Sequence, residues 1–317
     1  MSSAASCAAA LTRAFTAQYG GVPSLFQAPG RVNLIGEHTD YNQGWVMPAA
    51  IDLRAWVGLE LRPDAWLHLR SAQYPDPAVA DLREPLPPSK HWSASLLGLA
   101  WLLAREAARH GKTWRGANLL LDSQVPIGSG LSSSAAAEVA VGLALAHSNH
   151  LDLHPTALAQ LCQRASDEFA GTRCGPMDTY IACHGRAGAI CELDTRDLHS
   201  RWHAWPDGAA LLACDTGVRH SNAAGGYNDR RRECEQAAAT LGVASLREVN
   251  QADLELALSR LPPPLDRRCR HVVTENARVG TAAAALDAHA FCDLGRLLND
   301  SHASLRDDFE VSCSELD

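Results

Sequence analysis

Residues 28–44 hold a high density of side chains that form directional hydrogen bonds. This segment contains one arginine, two carboxylates, one histidine, one tyrosine and two asparagines around the short apolar run Val32–Ile35. Such groups suit a polyhydroxylated ligand, because each buried hydroxyl left without a partner costs about 1–3 kcal/mol. A well-capped turn after a strand would use several of the same residue types. The segment therefore predicts either a site for a polyhydroxylated molecule or a capped turn.

A second segment, residues 125–138, combines glycines with three consecutive serines. Gly128 and Gly130 have no Cβ, so the backbone can bend there and approach a ligand closely. Ser132–Ser134 precede a predicted helix body over residues 135–147, and the open N–H groups and dipole of a helix start attract anions. No Gly-Lys-Ser or Gly-Lys-Thr sequence follows, so this is not the common phosphate loop. The segment predicts an anion site neutralised by an arginine, a metal ion or the dipole, or else a serine-rich helix cap.

The predicted elements around the serine-rich segment stand in the order that a phosphate site requires. A strand over residues 116–122 leads into the glycine turn, and the helix follows. Near the N-terminus, Leu11, Phe15 and Tyr19 lie on one face of a predicted helix that can end at residues 20–21. The other predicted elements are strands over 54–62, 65–71, 187–192 and 209–215, helices over 92–110 and 155–169, and mainly helices from residue 228 onward.

Composition limits the classes of protein to which the chain can belong. Its 317 residues are enough for two domains, and 46% hydrophobic with 20% charged residues predicts a sizeable core instead of disorder. The formal net charge is -8 and basic residues do not cluster, which argues against a nucleic-acid partner. Ten cysteines without a Cys-x-x-Cys pair favour reduced thiols in the cytoplasm over disulfides or a zinc site. No secretion signal and no apolar run of about 18 residues is found, so no membrane partner is expected.

Taken together, the two segments resemble the galactokinase branch of the GHMP superfamily, which comprises galactose, homoserine, mevalonate and phosphomevalonate kinases. The similarity runs from about Tyr19 to the last residue. Cys174–Asp178 resembles the segment that carries the family's catalytic aspartate. Further similar segments are residues 215–221 and 226–232, which resemble the sugar-binding tyrosine region, and residues 271–278 and 301–312, which match the late helices.

This resemblance implies an α+β protein with the two-domain GHMP kinase fold. Residues 1–200 would form a ribosomal-S5-like domain that binds sugar and nucleotide, and residues 201–317 an incomplete, truncated ferredoxin-like α/β domain. The implied enzyme is an ATP:D-galactose 1-phosphotransferase, which moves the γ-phosphoryl group of ATP to the C1 hydroxyl of D-galactose. Galactose and the co-substrate ATP would be its partners and Mg2+ its cofactor, and the chain is expected to act as a monomer.

The resemblance also implies which residues form the site. Asp178 would be the catalytic base, with Arg31 beside it and beside the moving phosphate. Ser134 would bind Mg2+. The implied sugar-binding residues are Glu37, His38, Thr39, Asp40 and Tyr227, and the implied nucleotide-binding residues are Gly128, Ser129, Gly130, Leu131, Ser132, Ser133 and Ser134.

Three departures from the family pattern leave other functions open. Ser166 stands twelve positions before Asp178, where the family has a magnesium-binding glutamate, so weaker magnesium binding is predicted. Thr179 stands where galactokinases usually have glutamine. The sequence ends at Asp317, before the family's glycine-rich phosphate-side loop, so a kinase with impaired activity is one interpretation. The alternatives are a sensor that binds galactose and ATP without turnover, and a kinase for a related sugar such as N-acetylgalactosamine or arabinose.

Overall fold

The computed structural model describes residues 4–218 and 223–317, and the last part of the predicted sugar-binding segment 215–221 lies outside the described residues. Helices and strands are mixed along the chain, as the predicted α+β class requires. Short 3-10 helices occur at 40–42, 246–248 and 251–253, and a π-helix at 166–170. The longer elements are α1 (Ala4–Tyr19), β1 (Ser24–Asn33), β2 (Trp45–Val46), β3 (Pro48–Leu61), β4 (Trp66–Ser71), β5 (Ala78–Asp81), α2 (Ala94–Arg109), β6 (Ala117–Ser123), α3 (Ser133–Ser148), α4 (Pro155–Ala165), α5 (Met177–His184), β7 (Ala189–Asp194), β8 (Ser200–Ala204), α6 (Ala223–Leu241), α7 (Leu254–Leu258), α8 (Leu265–Asp287) and α9 (Phe291–Asp307).

The chain forms two compact units whose segments alternate along the sequence. The first unit comprises the residues up to 31, residues 50–174 and residues 178–184. The second comprises residues 32–49, 175–177 and those from 185 onward. These units describe compactness, and the division into domains at residues 1–200 and 201–317 stays a prediction.

The first unit is built on a five-stranded sheet with the order β1-β3-β6-β4-β5. β6 lies at the centre, antiparallel to β3 and parallel to β4. Side chains alternate between the two faces of a strand, so Leu119 and Leu121 of β6 pack into the core formed with α2 and α3, whereas Leu120 packs with Leu11 and Phe15 of α1. Helices therefore cover both faces of the strand that leads to the serine-rich segment.

The second unit combines the antiparallel sheet β2-β7-β8 with the later helices. The long helix α8 packs against β2, β8, α6, α7 and α9. Its Val272 lies in one apolar cluster with Phe309, and its Val279 lies in another with Ile35. α8 is thus a central element of this unit, and its polar side chains can form hydrogen bonds with neighbouring loops.

Two predicted elements differ from the structure. The predicted strand 209–215 is wrong, because residues 209–218 form no regular element and are almost all exposed. Leu211 and Leu212, which suggested a buried strand, are 48% and 84% exposed. The predicted helix 155–169 is α-helical only to Ala165 and continues as a π-helix. The other predicted elements are confirmed, with shifted ends.

No helix in the described residues is long and apolar enough to cross a membrane.

Candidate functional site

A charged pair in the first unit joins two segments that are far apart in the sequence. Arg31, near the end of β1, donates from Nε to Oδ1 of Asp178 over 2.7 Å and from Nη2 to Oδ2 over 3.0 Å. Asp178 lies in the first turn of α5, where the helix dipole favours a carboxylate. The two side chains are 15% and 28% exposed, so solvent reaches them. This bidentate contact holds both planar groups in one orientation, and it joins the two residues predicted to be catalytic.

The serine loop, defined as residues 128–134, contacts both members of this pair. The Ser132 hydroxyl donates to Oδ2 of Asp178. Arg31 donates from Nη1 to the carbonyl oxygen of Gly130 and from its backbone N–H to that of Leu131, the latter over 3.1 Å. Groups from β1, the serine loop and α5 therefore meet within the first unit.

The backbone of the serine loop is shaped by residues in the left-handed region. Gly128, Gly130 and Ser132 have φ values of 70°, 74° and 58°. The Ser132 side chain precedes α3 but forms no capping hydrogen bond to it. The first N–H groups of α3 are therefore not capped by this side chain, which is the arrangement that binds anions at helix starts.

The remaining residues predicted to bind the nucleotide occupy different environments. Ser129 donates to the carbonyl oxygen of Pro126 over 2.8 Å. Leu131 is half-buried and packs against the first unit's core. Ser133 and Ser134 are the first residues of α3, and Ser134 is exposed. Of these serines, Ser134 is the most exposed, whereas Ser129 and Ser133 are half-buried.

The position where the family pattern has a metal-binding glutamate is occupied by Ser166, the first residue of the π-helix. Its hydroxyl donates to Oε1 of Glu138 over 2.6 Å, and both residues are buried. The pKa of Glu138 is raised to about 7, mainly by burial, which outweighs the lowering effect of hydrogen bonds with Ser166 and Ser95; the charges of Asp178 and Asp167 contribute to the rise. The carboxyl group beside position 166 is thus that of Glu138 on α3, and near neutral pH it is partly protonated.

The described residues around the serine loop offer few protein ligands for a metal ion. Among the residues that the structure describes, no group of three or more His, Cys, Asp or Glu side chains is placed to hold a metal. Mg2+ commonly keeps several waters and binds through one or two protein groups and substrate phosphates. The exposed residue Ser134, whose hydroxyl stands at a helix start without a side-chain cap, fits that kind of site.

The polar loop, defined as residues 36–44, lies in the second unit and carries most of the residues predicted to bind sugar. The Glu37 carboxylate accepts a hydrogen bond from Nδ2 of Asn33. Asp40 is 8% exposed, and its Oδ1 accepts from the backbone N–H of Tyr41 over 2.9 Å. A Cβ at Gly175 would lie 2.1 Å from Oδ2 of Asp40, so only glycine fits there without movement. Asp40 is therefore held in a narrow space.

Two threonine hydroxyls bond to the backbone of the polar loop. Oγ1 of Thr39, which is fully buried, lies 2.8 Å from the carbonyl oxygen of Gly36 and 2.7 Å from that of Trp45. Oγ1 of Thr195 lies 2.8 Å from the carbonyl oxygen of Gly44. The Thr39 hydroxyl thus serves the loop backbone, and a contact between Thr39 and a sugar stays a prediction.

An aromatic group surrounds the predicted sugar-binding residues His38 and Tyr227. His38 has a φ of 60°, and its Nδ1 lies 2.8 Å from the Tyr41 hydroxyl. Its ring centroid is 5.5 Å from that of Tyr227 and 4.7 Å from that of Phe309. The rings of Tyr41 and Tyr227 meet edge-on at 5.2 Å. The structure therefore brings His38 and Tyr227 together, although they are far apart in the sequence.

The charge state of His38 follows from its surroundings. Burial is the main cause that lowers its pKa to about 3, and unfavourable electrostatic interactions of a protonated His38 with His271 and Arg230 contribute to the same shift. His38 is therefore neutral near pH 7, and the interior of the aromatic group carries no imidazolium at this position.

Sequence reasoning missed several residues of these arrangements. Tyr41 was visible as an aromatic residue within the polar segment 28–44, and Glu138 as a carboxylate one helical turn after Ser134. Phe309 lies in the matched segment 301–312, but nothing in that segment indicated a contact with His38.

Most of the candidate site residues lie in segments that match family models and known sequences. Residues 13–60 match the galactokinase galactose-binding signature, and residues 95–186 match the N-terminal domain of GHMP kinases. The chain is 42% identical over 313 residues to a galactokinase of Roseiflexus sp. (strain RS-1), which covers 97% of this chain and 79% of the relative. It is 45% identical over 311 residues to a galactokinase of Streptomyces coelicolor, with 96% and 79% covered.

Solved structures give the same grouping. The structure of Lactococcus lactis galactokinase complexed with galactose matches with a TM-score of 0.87 and 30% identity, over 98% of this chain and 82% of that one. The Methanococcus jannaschii mevalonate kinase matches with a TM-score of 0.60 and 15% identity, over 93% and 82%. The second likeness concerns the fold alone, and it agrees with the GHMP kinase fold implied by the sequence.

Proposed function

The chain belongs to the galactokinase family, and we propose that it transfers the γ-phosphoryl group of ATP to the C1 hydroxyl of D-galactose. The observation that carries this proposal is the bidentate pair of Arg31 and Asp178 beside the start of α3. The helix start offers N–H groups to phosphates, the guanidinium offers positive charge, and the carboxylate offers a proton acceptor. Phosphoryl transfer needs mainly alignment and charge stabilisation, which these groups can supply.

Asp178 is the proposed group that orients the C1 hydroxyl and accepts its proton. Among the described residues, its Oδ2 accepts from Arg31 Nη2 and Ser132, whereas Oδ1 accepts from Arg31 Nε alone. Since a carboxylate oxygen can accept two hydrogen bonds, Oδ1 retains capacity for a sugar hydroxyl. The sugar oxygen attacks the γ-phosphorus, ADP leaves, and the proton passes to Asp178. Because the transition state is loose, the proton moves late and a weak base suffices.

Glu37, His38, Thr39, Asp40 and Tyr227 are the proposed sugar-binding residues. A carboxylate can accept hydrogen bonds from two vicinal hydroxyls of a rigid pyranose. If the hydroxyl that bonds to a buried carboxylate is displaced in another epimer, that hydrogen bond is lost, and the site rejects the epimer. The burial and confinement of Asp40 support it as the residue that separates galactose from glucose.

Mg2+ is the proposed cofactor, with the Ser134 hydroxyl as a protein ligand. When bound with ATP, Mg2+ neutralises charge on the β- and γ-phosphates. Ser166 donates to Glu138 and brings no carboxylate of its own, which supports the prediction that this chain binds Mg2+ more weakly than relatives with glutamate there. The open helix start and Arg31 supply the remaining stabilisation of the phosphates.

ADP release tests the proposal directly. The chain is assayed with galactose, glucose, arabinose and N-acetylgalactosamine at low and high Mg2+, and sugar binding is measured by calorimetry. Turnover confined to galactose is the expected result. Galactose binding without ADP release would favour the sensor, and preference for another sugar would favour the related kinase. The proposal is wrong if the chain neither binds nor phosphorylates galactose. A cytoplasmic location and a monomeric state stay predictions, and light scattering tests the latter.

A further inference from the structure

We propose that three residues of α8, here called the α8 cluster (His271, Glu275 and Asn276), set the backbone of the polar loop, with Glu275 as the principal positioning residue for sugar binding. This inference rests on the proposed function, since it explains how the loop is made ready for the sugar. The three residues stand at positions i, i+4 and i+5, which together span about 140° of the helix circumference. Each makes a hydrogen bond to a backbone group at an end of the loop.

Glu275 supplies the first contact and is fully buried. Its Oε1 accepts from the backbone N–H of Gly36 over 2.9 Å and from the Ser301 hydroxyl over 2.6 Å. Its Oε2 accepts from Nε of Arg278 over 2.7 Å. A carboxylate removed from water is costly unless paired and hydrogen-bonded, and these donors meet that requirement. The carboxylate therefore has a defined place, and the N–H of Gly36 is directed to it.

The conformation of Gly36 makes this contact specific. Gly36 has a φ of 96°, and a Cβ there would lie 2.5 Å from the carbonyl oxygen of Trp45. The chain turns in a way that only glycine allows, directly before the carboxylate residue Glu37. The Glu275 side chain holds this turn from inside the unit.

His271 and Asn276 supply the other two contacts. Nε2 of His271 lies 2.9 Å from the Glu37 carbonyl oxygen, and Oδ1 of Asn276 accepts from the Trp45 N–H over 2.9 Å. Burial lowers the pKa of His271, so the ring is neutral near pH 7. Because a carbonyl oxygen can only accept, Nε2 carries the proton, and Nδ1 faces the Ser304 hydroxyl at 2.9 Å. The entry and exit of the polar loop are thus both bound to one helix.

The α8 cluster acts on the loop backbone, and its role is to position other residues. Glu37, His38 and Asp40 are carried by the backbone that the cluster holds. A misplacement of about 1 Å can reduce the rate about 10²-fold, because hydrogen bonds lose their alignment. Loss of a cluster contact should therefore weaken galactose binding and leave ATP binding unchanged.

The test compares Glu275→Gln and Asn276→Ala with the wild type, by galactose Kd from calorimetry, KM for galactose and for ATP, and Tm. Asn276→Ala removes the acceptor for the Trp45 N–H, and the amide of Glu275→Gln has a single acceptor oxygen for the donors that two carboxylate oxygens serve. Each variant should therefore raise the galactose Kd and KM roughly tenfold, as expected for one lost hydrogen bond, while the ATP KM stays unchanged. Asn276→Asp keeps an acceptor for the Trp45 N–H and should restore galactose affinity. Asp287→Asn is the control, because Asp287 ends the same helix but pairs with His203 and Arg201.

The outcomes separate this inference from the proposed function. If the wild type binds no galactose, the proposed function fails and the inference fails with it. If the wild type binds galactose but the variants lose only Tm, or lose ATP and galactose affinity equally, the inference alone is wrong. Should Glu275→Gln fail to fold, the Asn276→Ala and Asn276→Asp pair decides the question.

Discussion

The Arg31–Asp178 pair and the polar loop are held in place by different kinds of contact. The pair depends on side chains that orient one another and are partly exposed, at 15% and 28%. The polar loop depends on hydrogen bonds between its backbone and Glu275 and His271, which have no exposure, and the half-buried Asn276. Side chains that react must be accessible to the substrate, whereas side chains that hold the backbone in place can be fully buried. We therefore expect substitutions in the pair to change turnover, and substitutions in the α8 cluster to change the affinity for the sugar.

The largest expected effect tests the pair itself. Asp178→Asn removes the proton acceptor and should lower kcat by up to about 10⁴-fold, the upper range for a general base. The amide keeps the shape of the side chain, so calorimetry should still detect galactose binding. ADP release equal to that of the wild type would remove Asp178 from the mechanism.

The next effect tests whether the geometry of the guanidinium matters. Arg31→Lys keeps the charge but loses the bidentate contact, and it should lower kcat about 10²-fold. Arg62→Lys is the matched control, because Arg62 pairs with Asp64 through Nε and Nη2 at 2.8 and 2.7 Å within the same unit. Equal ADP release by the two variants would show that the contact has no catalytic role.

The polar loop can be disturbed through a single methyl group. Gly175→Ala would bring a Cβ to 2.1 Å from Oδ2 of Asp40 and should displace that carboxylate. We expect the galactose KM to rise roughly tenfold, as for one lost hydrogen bond. Gly295→Ala in α9 is the control, since its Cβ would meet open space. An unchanged KM in Gly175→Ala would show that the position of Asp40 is unimportant for sugar binding.

Glu138 of the first unit and His38 of the polar loop should give the stability opposite dependences on pH. In the folded state the pKa of Glu138 is about 7 instead of 4.5, so the stability that it contributes is fully present below pH 4.5 and is lost as the pH rises through 7. The pKa of His38 is about 3 instead of 6.5, so its contribution is present above pH 6.5 and is lost as the pH falls towards 3. Glu138→Gln should remove the loss of Tm that accompanies rising pH, and His38→Gln should remove the loss of Tm that accompanies falling pH. Unchanged Tm profiles in both variants would contradict these charge states.

The smallest effect concerns magnesium. Ser166→Glu places a second carboxylate beside Glu138, which should lower the Tm without metal because like charges repel. Mg2+ should then raise the Tm of this variant by a few degrees more than that of the wild type, and the Mg2+ concentration needed for half-maximal ADP release should fall. If Mg2+ shifts both proteins equally, position 166 does not influence the metal.

The sequence was most informative where functional residues are neighbours in the chain. The polar segment 28–44 and the serine-rich segment were visible because directional groups or glycines cluster there. The order of β6, the glycine turn and α3 followed from hydrophobic patterning and is confirmed. The proximity of Arg31 and Asp178 came from family resemblance alone, since no local pattern relates residues 147 positions apart.

Residues that support the site from within could not be predicted in this way. Glu275 resembles any charged residue of an exposed helix until the fold buries it beside Gly36. Phe309 looks like an ordinary core residue, and its contact with His38 depends on tertiary packing. The wrong strand at 209–215 has the converse cause, because apolar residues there remain exposed. Patterning reports which residues could be buried, and tertiary packing decides which are.

The contact between Gly36 and Glu275 spans 239 positions of the chain. During translation, residues 36–44 leave the ribosome long before α8 is made. Closing so long a separation is slow and follows the formation of local structure. The nascent segment therefore lacks these native hydrogen bonds until α8 has been made, and the sugar site that we propose for it would be among the last parts of the growing polypeptide to form.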